Sequence, residues 1–468
     1  MSSELKALEK SIEEIAEIAK GFGLDFYPMR FEVCPAEIIY SFGAYGMPSR
    51  FTHWSFGKAY HKMKMQYDYN LSRIHEMVIN SNPCYAFLLE GNSLIQNKLV
   101  VAHVLAHSDF FKNNVWFRKT NRDMMESMSA AAQRFHSYEL QYGYEKVERF
   151  IDAVMAIQQH IDPHCYIKEA ENKNCQCSCD RQQTPYDDLW NLDKEKNRSS
   201  ECNCENNRLF PEVPQRDLMF FILEHAKDLE EWQKDIISVL RDEMFYFWPQ
   251  MQTKIMNEGW ASYWHLRIMR EMDLDVQQSI EFAKMHAGVM QASTRNINPY
   301  LLGIKIFENI EKRWDNPSAR ERKLYQRPGG QGREKIFEVR TIDNDVSFIR
   351  NYLTKEIVDE LDLYLYRKVG HEYKIVDKDW EQVRDEMVKN LTNCGVPYID
   401  VINGDYGKRG ELYLLHRYEG LELDVQHLEK TLEHVHLIWG RPVYLETKID
   451  SKAVLFCYDG NAIAKKLI

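Results

Sequence analysis

Two kinds of hydrophobic periodicity divide this chain and restrict its fold more than any other feature. Up to about Trp314, apolar residues recur with the 3.6-residue period of a helix. Beyond Lys335, short β-branched and aromatic runs alternate with helical stretches. We therefore predict an α+β protein, with a large, mainly α-helical N-terminal domain and a smaller C-terminal α+β domain. Long helices are expected in the segments 67–80, 121–160, 216–247 and 249–272.

Changes in composition place the predicted domain boundaries. Residues 165–214 are rich in Asn, Cys, Asp, Lys, Gln and Ser, which indicates an insertion or surface loop. Residues 315–335 combine charge with Pro-Gly-Gly, which is typical of a linker. We predict a helical domain at 1–314 and an α+β domain at 336–468. Its strands are expected at IFEVRTID, DLYLYRKVG, EYKIVD, YIDVING, GELYLLHRYEG, PVYLETKID and AVLFCYDG.

Charge and hydropathy exclude several classes of protein. The formal net charge of -11 argues against a general nucleic-acid or anionic-membrane binder. The first residues form an acidic amphipathic pattern, unlike a signal peptide, and no apolar run approaches the ~20 residues that a membrane span needs. Five of the ten cysteines lie far apart in sequence, which favours reduced thiols. We expect a cytoplasmic protein with no membrane span and no nucleic-acid partner.

The most distinctive local motif is His103-Val-Leu-Ala-His107. Four-residue spacing places both imidazoles on one face of a helix, about one turn apart, where they can bind one transition-metal ion. The apolar neighbours Val100, Val101 and Leu105 predict burial. The alternative is a pair of hydrogen-bonded core histidines, which is equally compatible with the motif alone.

A second motif runs from Asn257 to His265 with the sequence NEGWASYWH. Glu258 and His265 are separated by two helical turns, so a carboxylate and an imidazole share one face. Such a pair among aromatic residues is costly to bury without partners. The alternative is a Glu–His hydrogen bond inside a helical bundle.

Together the two motifs resemble the ligand layout of gluzincin-type zinc peptidases, in which two histidines and a later glutamate bind zinc. We predict a zinc or other divalent site formed by His103, His107 and Glu258. His265 would be either a fourth ligand or a residue that orients Glu258. His265 and Tyr263 would assist Glu258 in catalysis.

The usual general base of those peptidases is absent, because Val104 follows His103 where they carry glutamate. Another carboxylate would have to approach the metal-bound water. The carboxylates near the motifs in sequence, which sequence alone does not rank, are Glu37, Glu76, Asp109 and Glu139.

The polar insertion carries a cluster of cysteines whose thiolates could fold the loop around a structural zinc ion. The alternative is a loop that binds no metal, which its composition favours. The cluster consists of Cys175, Cys177, Cys179, Cys202 and Cys204.

A glycine-rich segment, FGAYGMPSRFTHWSFGKAY, matches neither a phosphate loop nor a dinucleotide fingerprint. We predict an ordered loop packed on the helices, with a cleft lined by His53 and Trp54 as the alternative.

Several long motifs in fixed order resemble the SpoVR-like family. They are GMPSRFTHWSFGK, INSNPCYAFLLEGN, HSDFFKNN, NEGWASYWH and NPYLLGIKIFENIEKRW. The resemblance implies a bacterial cytosolic protein that acts in the mother cell during sporulation and is needed to form the spore cortex, a peptidoglycan layer.

Three functions are compatible with the sequence. The first is a metal-dependent hydrolase of amide-type bonds that acts on a peptidoglycan-related substrate. The second is a regulatory or scaffolding protein with a structural metal, whose C-terminal domain binds a protein partner. A metal-free binding module is a third, weaker reading.

Overall fold

The computed structural model describes residues 3–69, 76–164, 210–292, 297–369 and 372–468. Within these residues the chain forms two compact units, each built from two separate segments. The first unit comprises residues 1–148 and 245–396, and the second comprises residues 149–244 and 397–468. No helix in the described parts of the chain is long and apolar enough to cross a membrane.

Helices dominate the described chain, and most of them belong to the first unit. Their bounds are α1 (Ser3–Gly21), α2 (Ala36–Tyr45), α3 (Trp54–Asp68), α4 (Leu94–Asn113), α5 (Met124–Tyr142), α6 (Tyr144–Ile157), α7 (Leu218–His225), α8 (Glu231–Gln252), α9 (Lys254–Glu271), α10 (Val276–Val289), α11 (Pro299–Asp315), α12 (Ala319–Tyr325), α13 (Gly332–Ile342), α14 (Asp345–Tyr352), α15 (Lys355–Glu360), α16 (Trp380–Leu391) and α17 (Val425–Trp439).

The strands form one large sheet in the second unit and two small sheets in the first. Their bounds are β1 (Met29–Cys34), β2 (Glu76–Ile79), β3 (Cys84–Leu89), β4 (Leu365–Val369), β5 (Glu372–Asp377), β6 (Ile399–Tyr406), β7 (Glu411–His416), β8 (Val443–Ile449), β9 (Lys452–Tyr458) and β10 (Ile463–Leu467).

Sheet topology differs between the two units. In the first unit, β3 lies between β1 and β2 and pairs parallel with β1 and antiparallel with β2, while β4 and β5 form an antiparallel pair. In the second unit, the order is β10-β9-β8-β7-β6. All its neighbours are antiparallel except β7 and β8, which pair in parallel with Leu412 opposite Val443. Helix α17 connects these two parallel strands and packs on the sheet, as a parallel crossover requires.

The core of the first unit is built around α4 and α9. Helix α4 begins at a capping box in which Ser93 and Gln96 satisfy each other's backbone N–H groups, and most of its side chains are buried. The first N–H groups of α9, those of Ile255 and Met256, donate to the buried carboxylate of Asp345 at 2.8 and 2.9 Å. Both helices are therefore fixed at their N-terminal ends, and in α9 this is also where the NEGWASYWH motif begins.

Helices α9 and α11 cross so closely that their backbones are in contact. A Cβ atom added at Gly259 would lie 2.4 Å from the Cα atom of Gly303, so neither position has room for a side chain. Glu258, which directly precedes this crossing, is partly buried.

The six strands predicted from DLYLYRKVG to AVLFCYDG are confirmed as β4 to β9. The helices predicted within 121–160, 216–247 and 249–272 are also confirmed, although each region is either split into two helices or shortened. The helix predicted at 67–80 is wrong, because α3 ends at Asp68 and the β-branched run that follows forms β2 beside β3. The strand predicted at IFEVRTID is also wrong. This segment lies in α13, where Ile336, Val339 and Arg340 are buried at helical spacing.

The division of the structure differs from the predicted division at residues 315–335. Residues 319–325 form α12, and residues 336–396 belong to the first unit rather than to a separate C-terminal domain. The second unit instead combines 397–468 with residues 149–244, and an isolated bridge joins Gln215 to Val401. The glycine-rich segment is partly helical, since α2 ends at Tyr45 and α3 begins at Trp54.

Candidate metal centre

Helix α4 presents the two histidines of the HxxxH motif on one face. His103 and His107 are buried, and their ring centroids lie 4.6 Å apart. Val104, which stands where zinc peptidases carry the general base, is fully buried. The helical spacing expected from the sequence therefore places the two imidazoles side by side.

Helix α9 brings Glu258 to the same place. Its Oε2 atom lies 3.6 Å from His103 Nε2 and 3.5 Å from His107 Nε2. One ligand atom from each of the three side chains lies within 4.8 Å of the others. Two atoms 3.5 Å apart that each bind zinc at ~2.1 Å subtend roughly 110–120° at the ion, close to tetrahedral.

The Glu258 carboxylate has an unusual environment. Its Oε2 atom is buried and accepts no hydrogen bond from the described residues, because both histidine contacts exceed normal hydrogen-bond length. Burial raises the pKa of this carboxyl, but His103 and His107 outweigh burial and hold the pKa well below its usual range. An ionised, buried oxygen that faces two imidazole nitrogens fits a divalent cation.

Hydrogen bonds behind the cluster orient the two histidines. His107 Nδ1–H donates to Asn257 Oδ1 at 2.9 Å, which leaves the lone pair of a neutral imidazole on Nε2, facing Glu258. His103 Nδ1 lies 2.9 Å from His265 Nδ1, so one of these nitrogens donates to the other. Donation by His103 leaves its Nε2 lone pair facing the cluster as well.

His265 is placed behind His103 rather than beside Glu258. Its Nδ1 contacts His103, and its Nε2 lies 3.0 Å from Nδ1 of the half-buried His286 on α10. Burial, together with the neighbouring histidines, lowers the pKa of His265 well below its usual value, so the ring is neutral. Both ring nitrogens therefore face other imidazoles, and the geometry favours a role in orienting His103.

Tyr263 lies on another face of α9. Five residues separate it from Glu258, which corresponds to about 140° around the helix. Its ring stacks on Trp260, and the guanidinium of Arg267 lies 3.4 Å from the ring centroid. Burial raises the pKa of its hydroxyl. These contacts describe a packed core residue.

The carboxylates considered as general bases have other surroundings. Asp109 is fully buried and accepts hydrogen bonds from the Trp260 indole at 2.9 Å and from the Asp25 backbone at 2.8 Å. Burial raises its pKa to about 6. Glu37 faces Lys64 at 3.9 Å, Glu139 faces His136 at 3.3 Å, and Glu76 begins β2.

Two residues of this arrangement were not predicted from the sequence. Asn257 precedes Glu258 directly, and its position at the start of the NEGWASYWH motif is a signal that could have identified it. His286 belongs to a separate helix, α10, and no spacing in the sequence connects it with His265. The five cysteines considered as a possible structural zinc cluster, 175–204, lie outside the described residues.

Comparisons with known proteins give the family. The chain matches the family described as SpoVR like protein over residues 2–396 and the SpoVR-like C-terminal domain over residues 397–450. The chain belongs to the SpoVR family. The boundary between the two matched regions coincides with the division of the structure after Val396.

A SpoVR-family relative is found in Escherichia coli (strain K12), where the protein is named "Uncharacterized protein YcgB". It is 29% identical over 480 aligned residues, which cover 96% of this chain and 93% of the relative. No solved structure matches the chain. The likeness to gluzincins therefore concerns only the types and spacing of the ligands.

Proposed function

We propose that this SpoVR-family chain is a metal-dependent hydrolase whose divalent cation is held by His103, His107 and Glu258. The observation that carries the proposal is the convergence of three ligand atoms within 4.8 Å around a buried carboxylate oxygen that accepts no hydrogen bond from the described residues. Two imidazoles and one carboxylate form a known catalytic zinc set with an open fourth position.

Zinc is the leading candidate for the ion, because the donor set and the tetrahedral angle suit it. The same two-histidine, one-carboxylate set also binds Fe(II) in other proteins, so a metal analysis has to measure both. When bound, zinc lowers the pKa of water to about 7 and polarises a carbonyl group.

The residues of the chain have separate tasks in this proposal. Asn257 and His265 fix the ring orientations of His107 and His103, so that both Nε2 atoms face the ion. The Glu258 side chain is 19% exposed, whereas those of His103 and His107 are 5% and 7% exposed. Access for a substrate is therefore expected from the Glu258 side.

The substrate class combines two resemblances: the ligand types of zinc peptidases suggest an amide-type bond, and the family resemblance implies a role in cortex formation. We assign hydrolysis of an amide-type bond in a peptidoglycan-related compound, in support of cortex formation from the cytosol of the mother cell. Val104 replaces the usual glutamate, so the reaction differs from the standard peptidase route in its proton acceptor. The alternative is a scaffold with a structural ion and a partner-binding C-terminal region.

The first experiment measures metal content. The purified full-length protein is analysed by mass spectrometry for zinc, iron and manganese, beside His107→Ala, Glu258→Ala and the control His416→Ala. His416 is a buried histidine in the second unit whose Nδ1 lies 2.8 Å from Thr447 Oγ1. We expect about one ion per chain in the wild type and in the control, and loss of the ion in the other two. The proposal would be contradicted by a wild-type metal content well below one ion per chain that does not change in His107→Ala.

The second experiment separates catalysis from scaffolding. Glu258→Ala is introduced into a sporulating host and cortex formation is measured, with protein level and thermal unfolding as folding controls. A folded variant that abolishes cortex formation supports a catalytic centre. A folded, metal-free variant with a normal cortex excludes a catalytic metal centre and supports a scaffold that does not need the ion.

A further inference from the structure

A separate cavity lies between α2, α5 and the segment that connects α2 to α3. Its volume is about 390 Å³, within the usual range for sites that bind small molecules. None of the helices that carry His103, Glu258 or His286 contributes a lining residue. The cavity is therefore formed by a different part of the first unit from the proposed metal centre.

The glycine-rich segment shapes one wall of this cavity. Gly46 directly follows α2 and has a φ of 79°, a conformation that glycine adopts without strain, and a Cβ atom there would lie 3.3 Å from the Phe247 ring. The chain then reverses, Met47 is buried, and Ser49 Oγ donates to the Met125 carbonyl at 2.9 Å. This bond fastens the segment to the start of α5.

Arg50 supplies a fixed positive charge to the cavity wall. Its Nη1 donates to the Tyr45 carbonyl at 3.0 Å, and its guanidinium lies 4.2 Å from the Phe56 ring centroid and 5.2 Å from that of Phe51. Stacking on aromatic faces restricts a guanidinium while its N–H groups remain oriented in its plane. The cation is therefore positioned before any ligand arrives.

The remaining lining suits an organic anion. His136 of α5 offers a second basic group, although Glu139 lies 3.3 Å from its Nδ1. Hydroxyl and amide groups come from Ser129 and Gln133, and Pro48 adds apolar surface. All lining residues belong to the described chain, and none of them carries a carboxylate.

We propose that this cavity binds a small organic anion, with its carboxylate or phosphate group on Arg50 and its apolar part against Tyr45, Pro48 and Ala132. A guanidinium group binds carboxylates and phosphates alike through paired N–H donors. We therefore specify that the ligand is negatively charged, but not which of these two acidic groups it carries. The remaining volume exceeds that of a bare inorganic ion, so part of the ligand is expected to be organic.

The test uses two aromatic anions as probes, phenyl phosphate and phenylacetate, with benzyl alcohol as the neutral control. Binding to the full-length protein is measured by titration calorimetry in the presence of a chelator. We expect at least one anion to bind with a dissociation constant on the order of 1 mM, and benzyl alcohol to bind at least about tenfold more weakly. Preference for phenyl phosphate identifies a phosphoester site, and preference for phenylacetate identifies a carboxylate site.

Variants locate the bound probe. Arg50→Gln is expected to weaken binding about tenfold or more, while Arg320→Gln, an exposed arginine on α12, leaves it unchanged. Because Arg50 also stacks on Phe56, its variant can lose stability. Ala132→Leu, which fills the cavity without removing a charge, therefore provides an independent test and is expected to reduce binding similarly.

His107→Ala distinguishes this cavity from the proposed metal centre, because a bound metal ion also attracts anions. Binding that persists in His107→Ala and is lost in Arg50→Gln and Ala132→Leu supports the cavity. The proposal is overturned by loss of binding in His107→Ala alone, by equal affinity for benzyl alcohol, or by the absence of saturable binding. None of these results depends on whether the metal centre is catalytic.

Discussion

Buried polar side chains have different roles in the helical core of the first unit and in the sheet of the second unit. In the sheet, buried Asp400 pairs with Arg417, and His416 Nδ1 lies 2.8 Å from Thr447 Oγ1 on the neighbouring strand. In the helical core, Glu258 Oε2 is buried and has no hydrogen-bond partner among the described residues. A native core rarely tolerates such an oxygen unless a ligand or water satisfies it.

This difference indicates how to distinguish a structural polar cluster from a binding site. Polar groups that pair with each other complete the fold and leave no donor or acceptor directed at a common point. The helical cluster directs two imidazole nitrogens and one carboxylate oxygen toward one point, and it uses Asn257 and His265 to hold the rings there. Variants that affect one region and leave the other unchanged test the comparison.

The largest effect is expected from the helix crossing that supports the cluster. Gly259→Ala would place a methyl group 2.4 Å from Gly303 Cα, so α9 and α11 have to separate. We expect a loss of about 3 kcal/mol or more in the free energy of unfolding, because overpacking at backbone contacts cannot be relieved by a side-chain rotation. Urea denaturation followed by tryptophan fluorescence measures this change.

The matched control for this variant is Gly288→Ala on α10. No atom lies within 4 Å of the Cβ position at Gly288. Alanine stabilises a helix relative to glycine, so a gain of about 0.5–1 kcal/mol is expected there. Equal effects of the two substitutions would show that the crossing is not close.

The second-largest effect is expected from zinc binding, which should stabilise the first unit against unfolding. At a zinc concentration of about 100 times the dissociation constant, binding is expected to stabilise the wild-type first unit by about 2.7 kcal/mol. Glu258→Ala is expected to abolish this stabilisation, because it removes one of the three ligands. Thermal unfolding with zinc and with a chelator measures both, and an identical zinc shift in the variant would place the ion elsewhere.

Local periodicity explains what could be predicted from the sequence. The four-residue spacing of His103 and His107 and the seven-residue spacing of Glu258 and His265 are properties of single helices, so their shared faces were predictable. That α4 and α9 meet was inferred from a resemblance of ligand layout. The partner of His265 on α10 depends on tertiary packing, and no local pattern encodes it.

The same argument applies to the fold. Strands β6 to β9 carry strong β-forming runs and were predicted correctly, whereas β10 was not predicted. The pattern at 336–342 contains β-branched residues, yet its burial follows a helical period, and tertiary packing decided the outcome. The union of residues 149–244 with 397–468 depends on contacts between distant segments, such as the bridge from Gln215 to Val401.

A smaller effect is expected from the residue that orients His107. Asn257→Ala removes the acceptor of the His107 Nδ1–H group and is expected to weaken metal binding by about 10–100-fold, while the three ligands remain. Asn257→Asp retains an acceptor oxygen and is expected to restore most of the affinity. Competition with a chromogenic zinc chelator measures the affinities. Equal affinity of the alanine variant and the wild type would exclude the positioning role.

The smallest effect is expected in the sheet, where the polar pair is structural. Thr447→Val keeps the side-chain shape but removes the partner of His416, so a loss of about 1 kcal/mol in unfolding free energy is expected. Metal content and zinc affinity should stay at wild-type values, since His416 belongs to no ligand cluster found among the described residues. Urea denaturation and metal analysis of the same preparation measure both quantities. A change in zinc affinity would mean that buried polar pairs in the sheet also contribute to metal binding, and the distinction between the two regions would fail.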